Sequence, residues 1–325
     1  MNASDGEARR AAWSEYWSRG ALHSCVGSYA GNYDGAIAGY WRAVFATLPR
    51  GARVLDVGTG NGPLPRLLLD TRPDDSDLRV DAIDLAALAP RWAERPAYAA
   101  RVRFHSGVAT EHLPFAAAAF DLVTSQFGFE YAERGPALAE CLRVLAPSGQ
   151  LALVMHHADS RLAHVARTED AHAGRLLAAD GLLAATAAVA QWSAIARSGG
   201  DPSADPAAAR DRDAYNRAQR ALESAIAGSD VPDLLVDARD RAQRLLAAVG
   251  PDPAPAREAI AAWRTALERG RLRSRELVSC ALDAAAIDAM VAALRAARPG
   301  AAIGVQPVTQ PEGLLGWGLW MRAPA

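Results

Sequence analysis

The sequence predicts an α/β protein: one mostly parallel sheet, helices on both faces, and a helical insertion before the last two strands. Three observations carry this. Short apolar runs alternate with amphipathic segments between Arg53 and His156. The strand signal disappears from about Ser160 to Gly270, where Ala-rich segments studded with Arg and Asp take over. A final helical segment then leads to two further strand-like runs. Strand–helix alternation demands crossover connections, and crossovers make neighbouring strands parallel.

The elements follow in order. Ala8–Arg19 reads as a helix whose Trp13, Tyr16 and Trp17 fall at i, i+3, i+4. A Gly/Ser/Tyr/Asn-rich stretch separates it from a second amphipathic segment bearing Tyr40, Trp41, Val44, Phe45 and Leu48. Strands are predicted at Arg53–Val57, Arg79–Ile83, Val102–His105, Phe120–Ser125 and Gln150–His156, with helices at Leu64–Leu69, Leu85–Ala100 and Pro136–Val144. Pro and Gly break the insertion at Ser198–Pro206, Gly228–Pro232 and Gly250–Pro255, and Ser198–Asp211 is the expected mobile loop. Ala284–Ala297 is the last helix; Ala302–Val308 and Leu315–Met321 are the last strands. The expected organisation is an N-terminal helical cap (1–50), a core (51–160), the insertion (161–283) and a closing helix with two strands (284–325).

Composition narrows the function. There is no lysine, which excludes a Schiff-base lysine and a phosphate loop of the G-x-x-x-x-G-K type. The formal net charge is -2, so the basic excess of a phosphate-binding nucleic-acid partner is absent. No apolar run of about 18 residues suggests a membrane span. Met1–Arg10 is too polar for a signal peptide. Cys25, Cys141 and Cys280 are odd in number and far apart, without metal-ligand spacing. They read as reduced thiols of a cytoplasmic protein, Cys141 on a buried helix face, and no metal is expected.

The most informative stretch is Val54-Leu55-Asp56-Val57-Gly58-Thr59-Gly60-Asn61-Gly62: an apolar strand, an acid, a glycine turn, then a helix opening at Pro63. A dinucleotide site wants G-x-G-x-x-G with a pyrophosphate at the helix N-terminus. Here the spacing is G-x-G-x-G, and Asp56 would repel phosphate. The acid suits a cationic amino group, as in S-adenosylmethionine. A second acid, Asp84, ends the strand of Val80-Asp81-Ala82-Ile83 and lies 24 residues after Gly60, where a carboxylate accepts from both ribose hydroxyls. The plainer alternatives are a ligand-free tight turn and an Asp84 that caps the following helix.

These segments, together with Leu113-Pro114-Phe115, Phe120-Asp121-Leu122-Val123-Thr124-Ser125 and Leu142-Arg143-Val144-Leu145-Ala146-Pro147-Ser148-Gly149, resemble the class I S-adenosylmethionine-dependent methyltransferases. The similarity is to the ubiquinone/menaquinone-type subgroup and runs from about Gly51 to His156. It implies a Rossmann-like seven-stranded sheet with an antiparallel last strand, and S-adenosyl-L-methionine as cofactor. By position it implies Asp56, Gly58, Thr59 and Gly60 around the methionyl end, Asp84 on the ribose, and Leu85, Val108 and Ala109 at the adenine. Ser125 and Gln126 are implied under the methyl donor. Relatives often have an aspartate after the glycine of the third loop; this chain has Val108 after Gly107, which leaves the adenine amino contact to Thr110 or a backbone carbonyl.

The expected reaction is methylation of a small molecule at oxygen or nitrogen. His156 and His157 end the fifth strand, at the carboxyl edge where α/β ligands bind, and are the candidate bases together with His23. Adjacent strand residues point to opposite faces, so one of the pair is expected at the pocket and the other packed. Trp17, Tyr29, Tyr33, Glu130 and Tyr131 are the candidate substrate contacts. The insertion is expected to act as a lid or a homodimer interface. His105, His112, His164 and His172 read as surface or capping residues. The competing functions are an RNA methyltransferase and a cofactor-binding module without catalysis.

Overall fold

Alternation along each central strand divides the apolar residues between two cores. On Arg53–Val57 (β1), Val54 packs on one face while Leu55 and Val57 pack on the other. On Phe120–Gln126 (β4) the division is Leu122 against Val123, and on Leu145–His156 (β5) it is Ala152 and Val154 against Leu151 and Leu153. Burial on both faces is what a helix-covered parallel sheet requires.

The computed structural model describes residues 3–24, 31–311 and 313–323. Its sheet has seven strands in the order β3-β2-β1-β4-β5-β7-β6, where β2 is Arg79–Asp84, β3 Val102–Ser106, β6 Ala302–Gln310 and β7 Gly313–Arg322. β1 to β5 run parallel, and β7 pairs antiparallel with both β5 and β6. This is the Rossmann-like seven-stranded α/β sheet with an antiparallel last strand that the sequence predicts. Helices α1 (Ala3–Ser18), α2 (Gly35–Phe45) and α3 (Pro63–Thr71) precede and follow β1. α2 and α3 bring Trp41, Phe45, Leu64 and Leu68 to one face. On the other, α5 (Arg134–Val144) and α11 (Ala284–Ala297) supply Leu138, the fully buried Cys141, Met290 and Leu294.

The predicted helix Leu85–Ala100 does not form. The chain makes only a short 3-10 turn at Arg91–Glu94 and a single turn, α4, at Pro96–Ala99. Pro90 and Pro96 explain this: each lacks an N–H and pushes its predecessor out of the helical region. β5 begins at Leu145, five residues before its predicted start.

The chain divides into two compact units, residues 1–164 with 276–325, and residues 165–275. The second is helical, formed by most of α6 (Arg161–Leu177), by α7 (Leu182–Arg197), α8 (Pro206–Ala227) and α9 (Asp233–Ala247), and by most of α10 (Ala254–Cys280). Leu183, Leu222, Leu235, Trp263 and Leu267 form its own core. The expected loop at Ser198–Asp211 is shorter than predicted. Asp205 accepts the N–H of Ala207 at 2.7 Å and starts α8 at Pro206, so Asp211 is already helical and takes the indole N–H of Trp192. The stretch Arg161–Arg197 contains an 18-residue window of mean hydropathy 1.4, contrary to the expectation that none would be so apolar. Its chain is interrupted between Leu177 and Leu182, and Leu182 and Leu183 are buried in the helical core.

Candidate active site

The glycine turn after β1 depends on backbone that only glycine adopts readily. Gly58 has φ +63, and a Cβ there would lie 2.8 Å from Gly128 Cα, so the turn and the loop after β4 touch backbone to backbone. Gly60, at φ +54, lies against the ring of Trp17; a Cβ would come within 2.6 Å of it. Asn61 fixes the same helix from below, donating to the carbonyls of Trp17 and Ala21 at 2.9 and 2.7 Å. The aromatic helix α1 is thereby held over the turn.

A cavity opens beside this turn. Its lining includes Gly58, Asp84, Leu85, Val108, Ala109 and Thr110 from the strand ends, and Phe127, Gly128 and Tyr131 after β4. From α1 come Arg9, Arg10, Trp13 and Trp17. Sequence reasoning missed Arg9, Arg10 and Trp13; the i, i+3, i+4 aromatic spacing was their signal. Arg9 holds α1 in place by donating to the Tyr131 carbonyl at 2.7 Å and pairing with Glu276 at 3.0 Å, while Trp13 donates to the same carboxylate.

Asp84 sits at the tip of β2. One oxygen accepts the N–H of Gly60 and the other that of Ala86, both at 2.8 Å. Each oxygen keeps a lone pair, so the carboxylate can still receive two hydroxyls. Burial raises its pKa, opposed by those N–H donors and by Arg9. The nearby competitor, Asp81, is engaged elsewhere, 2.7 Å from His105 Nε2. His105 is therefore bound within the sheet instead of being a surface or capping residue.

Asp56 is 2% exposed and accepts from Thr124 Oγ1 at 2.7 Å. Burial pushes its carboxyl from 3.8 up to about 7. Thr59 is buried, its N–H spent on the Ile83 carbonyl. Ser125 is fully buried, donating to the Val57 carbonyl at 2.7 Å and accepting from the Phe129 N–H at 2.9 Å. That hydroxyl ties the ends of β1 and β4 together and is committed on both sides. Gln126 Oε1 takes the Trp41 indole N–H, whereas its buried Nε2 has no hydrogen-bond partner. Asp56, Ser125 and Gln126 are buried outside the cavity lining.

The two histidines at the end of β5 do diverge. His156 is 3% exposed; Glu130 Oε1 accepts its backbone N–H and lies 2.7 Å from its Nδ1. In the tautomer whose Nδ1–H donates to this carboxylate, a neutral imidazole keeps its lone pair on Nε2. The imidazole stacks on Phe127 at 4.2 Å, and Phe127 in turn lines the cavity with its backbone at φ +54, a costly conformation for a non-glycine residue. Glu130 Oε2 is buried without a hydrogen-bond partner. His157 stacks on Trp317 at 4.5 Å, and its Nδ1 accepts from Asp159 N. His23 and Tyr33 stack on each other at 4.7 Å, both buried. Tyr29, like Cys25, lies outside the described residues. Among the described residues no His/Cys/Asp/Glu group is arranged to hold a metal.

Residues 54–149 match the family model described as "Methyltransferase domain". The chain carries a methyltransferase domain. It is 41% identical over 104 residues to a demethylmenaquinone methyltransferase of Thermus thermophilus, covering 31% of this chain and 46% of that protein. It is 40% identical over 106 residues to a ubiquinone/menaquinone biosynthesis C-methyltransferase of Dinoroseobacter shibae (32% and 42%). It is 32% identical over 145 residues to a tRNA1(Val) (adenine(37)-N6)-methyltransferase of Aeromonas hydrophila (38% and 57%). The chain spans about half the length of the curated relatives it matches. The crystal structure of the Burkholderia thailandensis 1,6-didemethyltoxoflavin-N1-methyltransferase, bound to its substrate and S-adenosylhomocysteine, aligns at 24% identity. That alignment has a TM-score of 0.37 and covers 49% of this chain and 68% of that one.

The cofactor of the methyltransferase domain is S-adenosylmethionine, and the cavity fits it. Asp84, whose two carboxylate oxygens each keep a lone pair for a hydroxyl, shares the lining with the apolar Leu85, Val108 and Ala109, a combination with room for a diol beside a flat ring.

Proposed function

We propose that the protein methylates a small molecule at oxygen or nitrogen. The observation that carries this is the cavity itself, with Asp84 on one side and the Phe127–Tyr131 segment on the other. Bound S-adenosylmethionine supplies a methyl group on a cationic sulfur. Asp84 holds the ribose and, through Gly60, keeps the glycine turn in register. Trp13 and Trp17 of α1 exclude water, which favours an in-line displacement between desolvated partners. The acceptor's lone pair forms the new bond to carbon as the carbon–sulfur bond breaks, and the proton released from a hydroxyl needs an acceptor. The Glu130–His156 pair serves that role through its Nε2 lone pair once the Phe127 ring, which stacks on the imidazole and lines the cavity, turns aside to admit the acceptor.

The quinone methyltransferases among the relatives favour a small acceptor. The tRNA methyltransferases do not, but a net charge of -2 gives this chain no excess with which to neutralise RNA phosphates. The test is transfer from S-adenosylmethionine carrying a labelled methyl group, offered with metabolite extract or with bulk tRNA. Label in a small-molecule fraction with matching S-adenosylhomocysteine is expected. Label in tRNA alone overturns the reading, as does cofactor binding without any transfer.

A further inference from the structure

Phe127, the first residue after β4, touches the ends of two further strands. Gln126 pairs with Val154 of β5, His156 of β5 pairs with Gly316 of β7, and the Phe127 N–H donates to the Val154 carbonyl at 2.7 Å. The ring stacks on the His156 imidazole, with centroids 4.2 Å apart and planes 21° apart. Its Cε1 lies 3.0 Å from where a Cβ on Gly316 would stand, so the ring rests on strand that carries no side chain there. The residue is buried, yet it lines the cofactor cavity.

Packing alone does not explain this placement. A phenylalanine fills a core in ordinary backbone, whereas φ +54 is costly for any residue with a Cβ, and such strain collects where a site needs it. Nor does the imidazole call for a hydrocarbon neighbour. His156 is held by Glu130, and the second oxygen of that carboxylate is buried without a hydrogen-bond partner. The phenyl ring offers this polar pair neither donor nor acceptor. What it does supply is a flat face at stacking distance, over a floor cleared by glycine.

We propose that the Phe127 ring holds the place of the methyl acceptor: a flat unsaturated ring bearing the nucleophilic atom displaces it and stacks on His156 above Gly316. Resting on the small-molecule reading above, this placement narrows it to planar acceptors. A saturated ring is thicker and lacks the π face that the imidazole meets, so it competes poorly for the same slot. Until it is displaced, Phe127 covers an imidazole whose residue is only 3% exposed. The same ring is thus a gate on the Glu130–His156 pair.

Two measurements on the full chain test it: acylation of His156 by diethyl pyrocarbonate, which attacks accessible neutral imidazoles, and calorimetry with 2-naphthol and decahydro-2-naphthol. Phe127→Gly accepts φ +54 without strain; Phe127→Asn, which also tolerates that region, is read if the glycine variant does not fold. His156 is expected to be acylated roughly tenfold faster in the variant than in wild type, where a local opening must come first. Added 2-naphthol is expected to slow the variant again, and its saturated analogue is not. With S-adenosylhomocysteine bound, wild type is expected to bind 2-naphthol roughly three- to tenfold more tightly than decahydro-2-naphthol, the worth of one aromatic stack. Equal acylation of wild type and variant overturns the proposal, as do equal effects of the two alcohols. Failure of wild type to bind 2-naphthol overturns it too, even where the variant binds it in the hole that the substitution leaves. Neither measurement needs turnover, so both can fail while labelled methyl still reaches a small molecule, and both can succeed where none does.

Discussion

Asp84 Oδ2 accepts the backbone N–H of Gly60 at 2.8 Å, so a single carboxylate joins the tip of β2 to the glycine turn after β1. Asp84→Ala removes this brace and, with it, the carboxylate proposed to hold the ribose. S-adenosylhomocysteine affinity is expected to fall by roughly 1–3 kcal/mol, the cost of losing a charged hydrogen-bond partner. Calorimetry reads it directly, and unchanged affinity would move the ribose contact away from β2.

Gly58→Ala forces a side chain onto backbone at φ +63 and within 2.8 Å of Gly128 Cα. The left-handed conformation alone costs roughly 1–2 kcal/mol. A lower melting temperature and weakened cofactor binding are expected together. Loss of binding at unchanged melting temperature would show that the loop after β4 yields without cost.

Asp56 gives the protein a pH dependence of definite sign. Its folded pKa of about 7 lies above the ordinary 3.8, so between these values the folded chain holds a proton that the unfolded chain releases. Unfolding free energy therefore falls as pH rises through that window. Asp84 is shifted in the same direction and adds to the effect. Chemical denaturation across the window is expected to show wild type losing stability relative to Asp56→Asn as pH rises, and levelling off above about 7. A difference that stays flat with pH would mean that Asp56 is ionised throughout.

The two terminal histidines of β5 are expected to separate in kinetics. His156→Ala loses the pair made with Glu130, and turnover on a hydroxyl acceptor is expected to drop roughly 10²–10⁴-fold with cofactor affinity retained. Glu130→Gln keeps the shape but weakens the hold on the ring, so it is expected to lower kcat and shift its pH profile. His157→Ala, which removes a stack on Trp317, is expected to cost stability more than rate. Equal rates for all three variants would assign the proton to solvent or to the His23–Tyr33 stack.

The strands were legible because two-face burial writes itself as short apolar runs such as Val54-Leu55 and Leu151–Met155. The turn was legible because Gly58 and Gly60 need φ that few other residues adopt. The segment Leu85–Ala100 misled because its apolar content outweighed two prolines that decide the backbone. Ser125 was legible as a strand-end residue, but its two hydrogen bonds to Val57 and Phe129 are tertiary facts. The Glu130–His156 pair spans 26 residues, and no spacing rule links an acid after β4 to a histidine ending β5.

The chain leaves the sheet unit after β5 and returns to the same spot. Leu282 N donates to the His156 carbonyl at 2.8 Å, and Ala158 N to the Leu282 carbonyl at 2.9 Å, closing a short bridge between His157 and Leu282. This clasp works like the neck of a drawstring bag. Whatever the loop beyond it contains, its ends are already tied, and the entropy of closing a longer loop grows only with the logarithm of its length. Evolution could therefore enlarge, shorten or exchange the helical unit as a cassette while the donor-binding strands kept their register. A protein engineer could graft at the same two residues.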